Sequence, residues 1–163
     1  MGYAPDLFVI DTRLEGRDPP PSSEADARAP ERTMLGTGQR ERFLADLRAS
    51  SAIWKVVAHS VQLSPHREFW NYDAWDGYAD ERRILLETLR DEGIEGVLFV
   101  CGDGHKSFAD ELPIDPWDAA GYDSATGEGS IAVELMTRAM NAPASRTTPR
   151  FGVTPRAFFA VLS

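Results

Sequence analysis

Cysteine is all but missing. Cys101 stands alone among 163 residues, so no internal disulfide can form and a stapled secreted scaffold is excluded. Positive charge is also scarce. Lys and Arg number 17 against 26 Asp and Glu, a formal net charge of −9. That balance argues against broad electrostatic binding to nucleic acid or to anionic membranes. It leaves a metal site open, since carboxylates are metal ligands. No apolar run approaches the ~20 residues that span a bilayer. Residues 1–8 have neither the basic n-region nor the long apolar h-region of a signal peptide. Nothing in them directs the chain out of the cytoplasm. Four templates fail as well: G-x-x-x-x-G-K-[ST], G-x-S-x-G, H-E-x-x-H and paired C-x-x-C. Their absence removes the commonest NTPase, esterase, zincin and zinc-finger readings. There is no internal repeat.

What is present suffices for a core, at 42% hydrophobic residues. The length fits one domain, 1–163, or part of a larger one. Leu7-Phe8-Val9-Ile10 reads as a short buried strand, and so do residues 53–61 and 96–101. Residues 37–49 read as a helix with Thr37 as N-cap and Phe43, Leu44 and Leu47 on one face. Residues 80–92 read as a second helix, with Leu85, Leu86 and Leu89 at helical spacing and Gly93 beyond its end. Residues 17–32 hold three consecutive prolines and little that is apolar beyond alanine, and are expected to form an exposed loop. Residues 113–129 are expected to be a loop and 131–136 a fourth strand. Another loop is expected over 141–149 and terminal strands within 151–162, the least defined part of the chain. The alternation of strand and helix indicates α/β layering with strands buried on both faces.

Three segments can carry chemistry. Gly102-Asp103-Gly104-His105 follows the carboxyl end of a buried strand, where open α/β sheets place their sites. Asp103 and His105 could share a metal or a phosphate, or Asp103 could simply cap a tight turn. Asp11-Thr12-Arg13 follows the first strand. The planar fork of Arg13 suits phosphate, but an Asp–Arg pair holding a strand end is the plainer reading. Trp75-Asp76-Gly77-Tyr78 either walls a pocket or anchors a loop, with Asp76 and Asp80 placed to open a helix. His59 ends the second strand, where a lone His is most often a packed residue. His66 lies in a polar loop. Cys101 reads as a small apolar residue.

Taken in order, these segments resemble the C-terminal half of the alkaline phosphatase D family, the PhoD-like metallophosphatases. The carrying residues are Ile10-Asp11-Thr12-Arg13 and Leu35-Gly36-Thr37-Gly38-Gln39. Trp54-Lys55-Val56 and Trp75-Asp76-Gly77-Tyr78 with Arg82 come next. Gly102-Asp103-Gly104-His105-Lys106-Ser107-Phe108 and Gly129-Ser130-Ile131-Ala132-Val133-Glu134 complete the set. The resemblance implies a calcineurin-like metallophosphoesterase sandwich, two mixed sheets flanked by helices, of which this chain is the C-terminal half. It implies hydrolysis of phosphate mono- or diesters by a metal cluster that activates water. The metals would be Ca, Fe, Mn or Zn, with Asp103 and His105 as ligands. Arg13 and His59 would be catalytic, and Asp11, Asp76 and Tyr78 would lie near the substrate. His59 falls where many relatives have Asn or Gln, and Gly104 where they more often have Val. The family's N-terminal ligand motifs, of the Gly-Asp-x-x-Tyr and Asp-Asp-His-Glu kind, are not found in this sequence. A phosphate ester is the expected partner. The N-terminal half, or a second copy, is expected to complete the fold. The alternatives are a non-catalytic remnant serving as a binding or oligomeric module, and an unrelated acidic α/β protein.

Overall fold

The computed structural model describes residues 4–65, 71–104 and 107–137. Its frame is one five-stranded sheet. The strands are β1 (Asp6–Val9), β2 (Lys55–Ala58), β3 (Val97–Cys101), β4 (Phe108–Leu112) and β5 (Ala132–Met136). Their spatial order is β1-β2-β3-β5-β4. β1, β2, β3 and β5 run parallel, and β4 lies antiparallel on the β5 edge. Four parallel strands therefore end at the same side of the molecule. Asp11, His59 and Asp103 all follow carboxyl ends there, the position at which sheets of this kind present ligand-binding groups.

Helix α2 (Gly36–Ala49) buries Phe43, Leu44 and Leu47, and Phe43 meets Phe8 of β1 edge to face at 6.2 Å. Helix α3 (Ala79–Asp91) buries Leu85, Leu86 and Leu89. Each triplet recurs within one or two turns, so it lines a single stripe that the core can cover. The helix over 37–49 begins one residue earlier than expected, and Thr37 does not cap it. Leu35 holds the N-cap position, and the hydroxyl of Thr33 accepts the Gly36 N–H at 2.7 Å instead.

One expected loop contains a helix, and one segment with no expected element forms a strand. Residues 17–32 include a short helix, α1 (Glu24–Ala27), capped by the Ser23 side chain and burying Ala27. Residues 108–112, Phe-Ala-Asp-Glu-Leu, form β4, which its two adjacent acids conceal from an apolar-run reading. A single 3-10 turn (Trp75–Tyr78) leads directly into α3. The expected terminal strands within 151–162 lie outside the described residues.

The two faces of the sheet differ. Val57, Phe99 and Ala132 face the core and are buried. On the opposite face, Leu7 and Val9 are 68% and 76% exposed, while Val56, Leu98, Val100, Val133 and Leu135 are partly exposed. The expectation of burial on both faces thus holds on one face only among the described residues.

Where the site loops meet α2, two glycines touch. Gly16 and Gly36 both have positive φ, 72° and 68°. A Cβ on Gly36 would lie 2.8 Å from the Cα of Gly16. Gly36→Ala is therefore expected to destabilise the fold by about 1–3 kcal/mol or more. The check is the urea midpoint at unchanged slope, and a midpoint equal to that of the parent would refute the close approach.

Candidate functional site

Asp11 follows β1, and its backbone is stitched to α2 by one side chain. Gln39 accepts the Asp11 N–H at 2.7 Å and donates to the Asp11 carbonyl at 2.8 Å. The Asp11 carboxylate faces the other way. It accepts the backbone N–H of Arg13 at 2.7 Å, of Leu14 at 3.0 Å and of Glu15 at 3.2 Å. The Arg13 N–H bond is the main cause that holds this carboxyl below its usual range. Asp11 is thus a loop cap whose oxygens are occupied by backbone donors.

That cap aims Arg13. One guanidinium nitrogen donates to Asp73, and the other donates to Asp103 at 2.9 Å. Asp73 also accepts from Arg17 at 2.7 Å. Arg17 continues the chain to the Tyr78 hydroxyl at 2.9 Å, which itself donates to the Asp18 carbonyl at 2.6 Å. The result is a row of alternating charge, Arg17–Asp73–Arg13–Asp103, that runs from a buried cation to a half-exposed carboxylate. Partial burial pushes the Asp73 carboxyl up, but the bonds and charges of Arg13 and Arg17 outweigh it and lower the group overall.

Asp103 sits at the apex of a tight turn. Its φ is 73°, unusual for any residue but glycine, and Gly104 N–H bonds the Gly102 carbonyl at 3.0 Å across it. That is the strained hand of the three-residue turn. Aspartate tolerates this region better than most residues, and such strain concentrates at functional sites. Gly104 has a packing reason as well. A Cβ there would lie 2.5 Å from the Met136 sulfur, so Met136 fills the space a larger residue would need. His105, the expected partner of Asp103, lies outside the described residues, as does His66.

The other candidates lie deeper. Tyr78 is fully buried, with Arg17 and Arg32 each 5.3 Å from the centre of its ring. Asp76 is buried and accepts the Asn71 N–H at 3.1 Å. Both residues anchor the loop before α3. His59 has no exposed side-chain surface. Its ring packs edge-on to Phe99 at 5.7 Å, and neither ring nitrogen has a hydrogen-bond partner among the described residues. Burial pushes its pKa down to about 4, so it is neutral at pH 7.

Some structural residues were not singled out from sequence. Arg17 and Asp73 lie in irregular segments whose meeting depends on tertiary structure. Glu134 was quoted only as part of a motif. It is a lone charge in an apolar run, a pattern that signals a buried cap. It accepts the N–H groups of Leu63 at 2.7 Å and Ser64 at 2.8 Å, and burial raises its carboxyl above the usual range. Arg82, buried nearby, donates to the carbonyls of Leu63, Ile114 and Pro113 at 3.0–3.3 Å.

Residues 1–158 match the family of PhoD-like phosphatases. Alkaline phosphatase D of Bacillus subtilis (strain 168) is 31% identical over an alignment of 124 positions that covers 66% of this chain and 20% of that protein. A solved structure of PhoD superposes with a TM-score of 0.68 at 26% identity, covering 85% of this chain and 27% of that one. The chain therefore spans between a fifth and just over a quarter of the length of these relatives. The likeness extends to the mixed α/β fold.

The charge row makes stability depend on acid. The folded-state value of Asp73 lies below its unfolded value, so its contribution is present above about pH 4 and is lost as the pH falls through the lower folded value. Asp73→Asn is expected to lower stability at pH 7, read from the urea midpoint at unchanged slope, by less than about 1 kcal/mol because the pair is partly solvated. The gap between variant and parent should close as the pH falls below about 4. A gap of the same size in acid would remove Asp73 from the row.

Proposed function

The chain belongs to the PhoD-like phosphatase family, and from that premise we propose that it forms the C-terminal part of a metal-dependent phosphomonoester or phosphodiester hydrolase. The observation that carries this reading is the Arg13 guanidinium, held between Asp73 and Asp103 at the carboxyl end of parallel strands. A planar fork in that place suits two oxygens of a phosphate group. The proposed architecture is a two-sheet sandwich, and the apolar, partly exposed face of the sheet supports it.

The metal requirement rests on family membership. Among the described residues, Asp103 is the one expected ligand that can be placed, and one of its oxygens already meets Arg13. A single carboxylate facing a guanidinium does not make a metal centre. The described residues here do not fit the metal by themselves. His105 and ligands from the N-terminal part of the family's fold would complete the set.

The residues at hand have simpler tasks. Arg13 binds and orients the phosphoryl oxygens and stabilises the charge that builds on them during in-line attack. Asp11 and Gln39 fix the loop that carries Arg13, and Asp73 holds one side of its fork. When a phosphate approaches, its oxygens replace the Asp103 carboxylate on Arg13.

The test is hydrolysis of p-nitrophenyl phosphate and bis-p-nitrophenyl phosphate with Ca²⁺, Fe³⁺, Mn²⁺ or Zn²⁺. It is run on the chain alone and with the N-terminal part of the Bacillus relative added. Metal-dependent turnover is expected, lowered by about 10²–10³-fold in Arg13→Ala and abolished in Asp103→Ala. Turnover in neither condition, or turnover indifferent to both substitutions, would replace this reading with that of a binding module.

A further inference from the structure

We propose that His59, Cys101 and Glu134 form a second, buried metal site that takes one borderline-soft divalent ion, Zn²⁺ above all, separately from Asp103. The three residues reach one place because of strand alternation. His59 follows β2, Cys101 ends β3 and Glu134 is the centre of β5. All three lie on the core-facing side, with Val57 and Phe99. Their donor atoms lie within 4.8 Å of one another. Glu134 Oε1 is 3.4 Å from His59 Nε2 and 3.1 Å from Cys101 Sγ. Ligands of a tetrahedral zinc ion stand roughly 3.3–3.7 Å apart, given Zn–N and Zn–O near 2.0–2.2 Å and Zn–S near 2.3 Å. The cluster is already close to that spacing.

The second observation is the imidazole itself. His59 is completely enclosed, and among the described residues neither ring nitrogen makes a well-formed hydrogen bond, Nε2 having only a long contact to Glu134 Oε1 at 3.4 Å. An unpaired buried polar group is costly, and a metal on Nε2 would satisfy it. The donor set selects the ion. Nitrogen, thiolate and carboxylate suit Zn²⁺ or Co²⁺, whereas Ca²⁺ and Mg²⁺ require oxygen. Charge also balances, since a divalent ion with one thiolate and one carboxylate is neutral, the form that burial tolerates. On loading, the Cys101 thiol releases its proton to solvent, and the metal replaces the hydrogen bond it made to Glu134. The Ser64 N–H holds the other carboxylate oxygen, Oε2, at 2.8 Å, and the Leu63 N–H bonds Oε1 itself at 2.7 Å, so the carboxylate is fixed by backbone donors, as outer-shell donors fix a ligand. Enclosed in this way, the ion would tie β2, β3 and β5 together, with a fourth position left to water.

Cobalt tests this directly, because Cys101 is the chain's single cysteine and only it can give a thiolate-to-cobalt charge-transfer band. The full chain is titrated with Co²⁺, and folding is followed by circular dichroism. One equivalent bound with that band is expected, displaced by Zn²⁺ and unchanged in Asp103→Ala. Cys101→Ser should remove the band and weaken binding by more than about 100-fold, and His59→Gln and Glu134→Gln should each weaken it by at least about tenfold. A folded chain that binds Co²⁺ without the band, or not at all, overturns the proposal. So does a band of equal affinity in both His59→Gln and Glu134→Gln, which would report a thiol acting alone. The Asp103→Ala arm keeps this outcome independent of the hydrolase reading.

Discussion

The guanidinium of Arg13 joins three parts of the chain that are far apart in sequence. Residue 13 follows β1, residue 73 precedes the turn into α3, and residue 103 follows β3. These points converge only if β1, β2 and β3 run parallel and in register, so that their ends reach one edge together. The register depends in turn on the core-facing residues, since a slip of one position would turn Val57 and Phe99 outward. The site geometry is therefore a consequence of how the sheet buries its apolar face. Gln39 adds a local fix by binding both backbone groups of Asp11.

Buried charge forms a second framework, and its members hold backbone. Glu134 receives two amides of the loop after β2, and Arg82 reaches three carbonyls on two loops. Glu81, also buried, accepts the Met34 and Leu35 N–H groups and the Thr33 hydroxyl at the start of α2. Each charge finds several fixed dipoles to replace the water it has lost, which is the condition for burying it. Burial still pushes the Arg82 pKa down to about 10, well above neutrality, so the cation persists. These contacts order irregular segments that local propensity does not.

The sequence was legible where one residue pattern dominates. β1, β3 and β5 are short apolar runs, and the leucines of α3 keep helical spacing, so their existence could be read even though their ends shift by a residue or two. Arg13 and Asp103 were legible because each follows such a run. β4 was not, since an edge strand with one half-covered face carries acids as readily as apolar groups. Nor was α1, whose single buried side chain, Ala27, leaves no stripe. Thr33 took the capping role expected of Thr37 because the positive φ of Gly36 bends the chain back to it. Asp73 and Arg17 were hidden for a different reason. Their pairing is made entirely across loops, and nothing in their neighbours' composition records it. Tyr78 and Asp76 show the converse, a conspicuous motif whose conspicuous residues serve the interior.

The apolar outer face of the sheet has a colloidal consequence. Leu7, Val9 and their neighbours form a sticky, flat surface on a body whose charge is −9 at neutral pH. Mutual repulsion between molecules then offsets the attraction of these faces. That balance shifts toward the isoelectric point near pH 4.8, where repulsion vanishes and the sheets are left to pack on one another. At neutral pH the acidity of the chain thus weakens the pull of one such face on another.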